Sequence, residues 1–240
     1  MTRRVAAFAL GASLCVAAAC HRDEHAVLTS SESAAPAASA APSPPTRPQA
    51  AAVPRIVILG DSLTAGLGLA PAEAYPALVQ QRLKREGLDY EVVNAGVSGD
   101  TSAGGLARLD WALAGDVRIL IVALGGNDGL RGLPTSELRD NLARIIETAQ
   151  ARGIAVILAG MEAPPNYGRD YTVSFHNVYP NLARKYHVAL VPFLLQGVAG
   201  TASLNQRDGI HPTPEGARIV ADTVWTVLKP LAEERSRPAS

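Results

Sequence analysis

Three residues that could form a nucleophilic triad occur along the chain in the order Ser62, Asp208, His211. A serine hydroxyl is a weak nucleophile until a base removes its proton, and His211 is the base predicted for Ser62. Asp208 lies three residues before His211, and in a turn that spacing can bring its carboxylate to the imidazole Nδ1–H. This order along the chain is one of several compatible with a triad. These residue types predict acyl transfer through a serine.

Acyl transfer also requires hydrogen-bond donors for the oxyanion that develops on the carbonyl oxygen. We expect three donors, which are the backbone N–H of Ser62, the backbone N–H of Gly99 and the side-chain amide of Asn127. Taken singly, Ser62 could be only a helix cap and Asn127 only a turn residue. Their occurrence together, each just after a predicted strand, favours the catalytic interpretation.

Other interpretations of the segment ILGDSLTAGLG, residues 58–68, fit less well. A phosphate-binding loop requires lysine after its second glycine, and Leu67 follows Gly66 here. A dinucleotide fingerprint beginning at Gly66 fails because Pro71 occupies the position of its third glycine. The G-x-S-x-G nucleophile elbow is absent around Ser62, which argues against an α/β-hydrolase.

Five short apolar runs alternate with longer segments of helical periodicity, and these must position the polar residues. The predicted strands are 55–60, 90–96, 117–125, 154–160 and 188–193, and the predicted helices are 73–86, 104–114, 135–152, 172–186 and 214–228. This alternation predicts an α/β fold with a five-stranded parallel sheet between two helical layers. Ligands of such sheets bind beyond the carboxyl ends of the strands, where the polar clusters lie.

The N-terminal fifth of the chain differs in composition from the rest. Residues 1–19 begin with two arginines and continue as a short apolar run ending in small residues, which predicts a signal peptide rather than a membrane span. Removal of this segment leaves Cys20 as the sole cysteine, and lipid modification of its thiol would explain an unpaired cysteine in an exported protein. The alternatives are ordinary cleavage and a free thiol.

Residues 20–54 are rich in alanine, serine and proline, so they predict a disordered tether to a folded domain at 55–240. The whole chain carries 22 basic and 22 acidic residues, and loss of Arg3 and Arg4 leaves 20 against 22. Without a basic stripe we expect no nucleic-acid partner. Isolated histidines predict no metal site, and balanced charge with few aromatic residues predicts a monomer.

Four sequence blocks together resemble the GDSL (SGNH) hydrolases. The blocks are GDSL at 60–63, the glycine of SGD at Gly99, GGND at 125–128 and DGIH at 208–211. Further stretches, among them VSGDTS, GLARL and PPNYGRDY, resemble the bacterial periplasmic subgroup described as acyl-CoA thioesterase, lysophospholipase and arylesterase. The resemblance implies a three-layer α/β/α flavodoxin-like sandwich, the triad and oxyanion hole named above, and no cofactor.

The same resemblance implies where a substrate would bind. The glycine-hinged loop 129–133 would cover it, and the segment 164–171 would form another wall. The expected substrate-binding residues are Asp61, Gly129, Leu130, Leu133, Pro165 and Tyr167. Asp61 and Asp128 would also brace their loops through backbone hydrogen bonds.

These observations predict an exported, lipid-anchored serine esterase that hydrolyses carboxylic esters or thioesters with medium or long acyl chains. One alternative is a carbohydrate O-deacetylase on the same scaffold, whose activity would fall steeply beyond acetate. A second is an inactive surface binding lipoprotein, which would be expected to lack one of the four blocks.

Overall fold

The structure is a computed structural model that describes residues 53–236. The predicted signal peptide, Cys20 and nearly all of the predicted tether lie outside the described residues. Among the residues described, no helix is long and apolar enough to cross a membrane.

A five-stranded parallel sheet forms the centre of the fold. Its strands are β1 (Arg55–Gly60), β2 (Glu91–Gly96), β3 (Val117–Ala123), β4 (Ala155–Ala159) and β5 (Ala189–Val191). They lie in the order β2-β1-β3-β4-β5, which is the flavodoxin-like order. The three central strands are almost entirely buried and consist mainly of valine, leucine and isoleucine, as expected for strands covered on both faces. The predicted fold class is confirmed.

Eight α-helices connect and cover the strands within the described residues. They are α1 (Ser62–Ala65), α2 (Tyr75–Arg85), α3 (Ser102–Ala107), α4 (Leu109–Ala112), α5 (Gly126–Leu130), α6 (Thr135–Ala151), α7 (Arg169–Tyr186) and α8 (Pro214–Ser236). Helix α2 packs against α8, and α6 packs against both α3 and α7. These helices thus form two groups, one of α2 and α8 and one of α3, α6 and α7, as expected for two layers that cover a parallel sheet.

Two predicted helices differ in the structure. The segment predicted as one helix over 104–114 forms α3 and α4, because the backbone leaves helical geometry at Arg108 between them. The last helix continues beyond the predicted end at Leu228 and passes Pro230. Leu228 and Ala232 are both buried. Their packing therefore stabilises the helix on both sides of Pro230, although proline removes one backbone hydrogen bond.

Candidate active site

Ser62 begins α1 at the carboxyl end of the central strand β1. Two glycines allow this helix to lie against the sheet edge. A Cβ atom on Gly60 would lie 2.0 Å from Thr64 Oγ1, and one on Gly96 of β2 would lie 2.3 Å from the backbone nitrogen of Ala65. Larger residues at either position would therefore displace the turn that carries the serine.

The three residues of the predicted triad are joined by hydrogen bonds. His211 Nε2 lies 2.8 Å from Ser62 Oγ, and His211 Nδ1 lies 2.7 Å from Asp208 Oδ2. A carboxylate can only accept, so Nδ1 donates and Nε2 of the neutral imidazole is left to accept the serine proton.

The acid of this group is held by the turn that carries it. Asp208 Oδ1 accepts hydrogen bonds from the backbone N–H groups of Ile210 at 2.9 Å and His211 at 3.0 Å. These two bonds, with the bond from the His211 ring, lower the pKa of Asp208 to about 2. Asp208 is consequently ionised at neutral pH, which favours a protonated His211 during proton transfer.

The predicted oxyanion donors lie around the ends of β1, β2 and β3. Asn127, in α5, donates from Nδ2 to the carbonyl oxygen of Asp100 at 2.9 Å and lies 3.4 Å from Asp61 Oδ2. Gly99 adopts a φ of +85°, a conformation that glycine tolerates best. Its carbonyl accepts a hydrogen bond from Arg131 Nη2 at 2.8 Å. The Gly99 loop and the Asn127 side chain are thus directly connected.

Two buried carboxylates brace these loops. Asp61 accepts a hydrogen bond from the backbone N–H of Leu63 at 3.0 Å, and burial raises its pKa to about 6. Asp128 accepts from the backbone N–H of Ser102 at 2.8 Å and from its hydroxyl at 2.5 Å, which ties α5 to α3. The amide of Asn141 donates to the same hydroxyl.

A cavity of about 480 Å³ opens beside Ser62 and His211. Its wall is largely apolar, and its larger apolar side chains include Leu130, Met161, Phe193, Leu195 and Ile210. The polar residues Asp61, Asn127 and Glu162 also line it. An elongated acyl group could therefore be bound with its carbonyl near Ser62.

Of the six residues expected to bind substrate, Asp61, Leu130 and Pro165 line this cavity, whereas Gly129, Leu133 and Tyr167 do not. The second three instead support the loop. Gly129 is buried, and a Cβ there would meet the ring of Phe175 at 3.1 Å. Leu133 accepts a hydrogen bond from the Tyr171 hydroxyl at 2.9 Å, and Tyr167 donates to the Leu130 carbonyl at 2.9 Å.

Several wall residues were not predicted from the sequence. Phe193 and Leu195 follow β5, and Met161 and Glu162 follow β4, so the rule that sites lie beyond strand ends could have indicated them. Glu162 Oε1 lies 2.6 Å from Nδ1 of His176 on α7. Within residues 53–236 no three His, Cys, Asp or Glu side chains are grouped so as to hold a metal ion.

Comparisons with known proteins show the family of the chain. The chain matches the model of the GDSL-like lipase/acylhydrolase family over residues 58–219. It is 48% identical over 184 residues to esterase TesA of Pseudomonas aeruginosa PAO1, covering 76% of this chain and 92% of that protein. It is 39% identical over 189 residues to thioesterase 1/protease 1/lysophospholipase L1 of Escherichia coli K12, covering 78% and 89%. The crystal structure of TesA matches with a TM-score of 0.71 at 47% identity, covering 74% of this chain and 99% of that one.

Proposed function

The chain belongs to the GDSL-like lipase/acylhydrolase family and is an SGNH-type esterase, and on this premise we propose that Ser62, His211 and Asp208 perform the hydrolysis. The observation that carries the proposal is the unbroken pair of hydrogen bonds from Asp208 through His211 to Ser62 at the edge of an apolar cavity. The subgroup resemblance is confirmed by relatives named esterase and thioesterase.

The proposed reaction proceeds through an acyl-enzyme. Ser62 Oγ attacks the acyl carbonyl while its proton passes to His211 Nε2, and Asp208 stabilises the imidazolium. The oxyanion accepts hydrogen bonds from the Ser62 and Gly99 N–H groups and from the Asn127 amide. The tetrahedral intermediate then expels the alcohol or thiol, which takes the proton from His211. Water, deprotonated by His211, then attacks the acyl-enzyme and forms a second tetrahedral intermediate. Collapse of this intermediate releases the carboxylic acid, and His211 returns the proton to Ser62.

We propose carboxylic esters or thioesters with medium or long acyl chains as substrates. The apolar wall formed by Leu130, Met161 and Phe193 supports this choice, because it offers surface against which methylene groups can be removed from water. An O-deacetylase would need a site that recognises a carbohydrate leaving group. An inactive binding protein is disfavoured because the proposed nucleophile, base and acid are all in contact.

The experiment compares hydrolysis of p-nitrophenyl esters from acetate to palmitate by the wild-type protein and Ser62→Ala. Ser136→Ala, an exposed serine of α6, is the matched control. We expect kcat/KM to rise with acyl length beyond acetate, Ser62→Ala to lose at least about 10³-fold in kcat, and Ser136→Ala to match wild type. Equal turnover by Ser62→Ala would refute the assignment, and a steep fall beyond acetate would favour the deacetylase.

We also propose that residues 1–19 are a signal peptide, that Cys20 carries lipid, and that residues 20–54 tether a monomeric domain to a membrane. The sequence layout and the single remaining cysteine support this. Fractionation of cells that produce the wild type and Cys20→Ser tests it. The wild type is expected in the membrane fraction with an acylated N-terminal cysteine by mass spectrometry, and Cys20→Ser in the soluble envelope fraction. Membrane retention of Cys20→Ser would contradict lipid anchoring.

A further inference from the structure

One guanidinium joins two neighbouring strand ends at the site. Arg108, at the junction of α3 and α4, donates from Nε to Asp100 Oδ2 at 2.6 Å and from Nη2 to the carbonyl of Gly60 at 2.9 Å. The Arg108 and Asp100 side chains are each only 18% exposed, so this ion pair is shielded from water. Gly104 provides the room, because a Cβ there would lie 2.7 Å from Asp100 Oδ1.

The two residues that Arg108 contacts lie next to the proposed oxyanion donors, either along the chain or through a hydrogen bond. Gly60 is separated from Ser62 by a single residue. Asp100 directly follows Gly99, and its carbonyl accepts the hydrogen bond from Asn127 Nδ2 at 2.9 Å. A movement of the Asp100 backbone would therefore shift both Gly99 and Asn127 relative to Ser62.

Resting on the proposed function, we infer that Arg108 is a positioning residue that fixes the spacing of the three oxyanion donors through Asp100 and Gly60. Oxyanion donors must lie about 2.7–3.1 Å from the developing charge, so a displacement of a few tenths of an ångström weakens them. A planar guanidinium can bind a carboxylate and a carbonyl at fixed separation, whereas a lysine ammonium is a single point charge.

Stability alone does not account for this arginine. Its Nη1 is buried and has no hydrogen-bond partner among the described residues. Burial of a charged group with an unsatisfied donor costs folding free energy, and a shielded ion pair is often no more stabilising than apolar packing. An arginine at such a position is better explained by the geometry that it imposes on Gly60 and Asp100.

The experiment compares Arg108→Met with Arg55→Met, assayed on a neutral p-nitrophenyl ester with thermal unfolding measured in parallel. Arg55 is the matched control because it begins the same strand, β1, at the end away from the site and pairs there with Glu91 at 2.7 Å. We expect Arg108→Met to lower kcat by about 10- to 100-fold with KM changed less than about twofold, because the donors act on the transition state. Arg55→Met should leave both constants within about twofold of wild type.

A second measurement distinguishes a positioning role of Arg108 from a general loss of order in the folded protein. The rate of inactivation by a p-nitrophenyl phosphonate, whose adduct places a tetrahedral anion on Ser62, should fall in parallel with kcat. Arg108→Lys should remain at least about tenfold below wild type in kcat because it cannot hold both partners. Folded Arg108→Met with wild-type kcat, or with KM alone raised, would overturn the inference.

If Arg108→Met fails to fold, Asp100→Asn is used instead. This variant keeps the backbone carbonyl that Asn127 contacts and weakens only the ion pair between Arg108 and residue 100. A kcat about 3- to 10-fold below wild type at unchanged KM is expected, and unchanged kcat would overturn the inference. If the wild type itself shows no Ser62-dependent hydrolysis, the proposed function fails. If hydrolysis depends on Ser62 but kcat is unchanged in the Arg108 variants, only the positioning role is refuted.

Discussion

The buried carboxylate of Asp61 should make the protein less stable as the pH rises, and Asp61→Asn should remove this effect. Asp61 is almost completely buried beside Ser62, and burial raises its pKa from 3.8 to about 6. Between these values the folded protein holds a proton that the unfolded chain has released. Raising the pH through this window therefore favours unfolding, in the sense opposite to the usual surface carboxylate.

The size of the effect follows from the shift. A difference of about two pKa units corresponds to about 3 kcal/mol, so wild-type stability should fall by about 2–3 kcal/mol between pH 4 and pH 8 on account of Asp61 alone. Asparagine keeps one acceptor for the Leu63 N–H but presents a donor where the Asn127 amide approaches, which costs about 1 kcal/mol. Asp61→Asn should be more stable at pH 8 by about 1–2 kcal/mol and no more stable at pH 4.

Urea unfolding of the wild type and Asp61→Asn at pH 4 and pH 8 measures this difference, with the exposed Asp89→Asn as the matched control. Between pH 4 and pH 8, the stability of Asp61→Asn relative to wild type should rise by about 2–3 kcal/mol. The stability of Asp89→Asn relative to wild type should hardly change. We also expect Asp61→Asn to be slower in hydrolysis, because it removes a negative charge near His211. An Asp61→Asn variant destabilised equally at both pH values would refute the reasoning.

Three further outcomes are expected. Asp208→Asn should lower kcat by about 10³- to 10⁴-fold with little change in KM, because His211 Nδ1 loses its ionised partner; wild-type kcat in steady-state assays would contradict this. Gly96→Ala should lower the free energy of unfolding in urea by about 1–3 kcal/mol and also reduce activity, because its Cβ meets the backbone of Ala65; a neutral result would mean that α1 can move freely. Glu162→Gln should raise kcat/KM about two- to fivefold for an ester with an anionic acyl terminus and leave kcat/KM for a neutral ester unchanged. The reason is that Glu162 lines a cavity whose described wall contains no lysine or arginine to offset its charge. Equal effects on both esters would exclude a charge effect.

The strands were predictable because a covered parallel sheet requires continuous apolar runs, and β1 and β2 lie within one residue of their predicted bounds. The predicted fifth strand, 188–193, was too long because only Ala189–Val191 pair with β4. The break between α3 and α4 could not be predicted. Arg108, where the backbone leaves helical geometry, contacts the carbonyl of Gly60, which is 48 residues away in sequence and unrelated to helical periodicity.

The site was predictable to the extent that its chemistry requires particular residue types in the loops beyond the carboxyl ends of the strands. Ser62, Asp208 and His211 lie together, and their roles remain a proposal. The cavity wall was less predictable, because Phe193 and Ile210 are apolar residues of the same types that fill the core, and only their position beyond a strand end could have indicated Phe193. Gly129 and Leu133, also expected to bind substrate, do not line the cavity, since a loop beside a cavity need not turn each of its residues toward it.

The turn that carries both Asp208 and His211 holds the proposed acid and base in one short segment, and most of the cavity wall comes from other segments. The proposed acid and base are three residues apart in one turn, so only the bond from His211 to Ser62, across 149 residues, depends on how the rest of the domain is assembled. Met161 and Glu162, directly after β4, and Phe193 and Leu195, directly after β5, contribute to the wall and lie apart from the proposed acid and base. Changes in these two stretches are therefore expected to alter acyl preference and to leave the proposed triad in place.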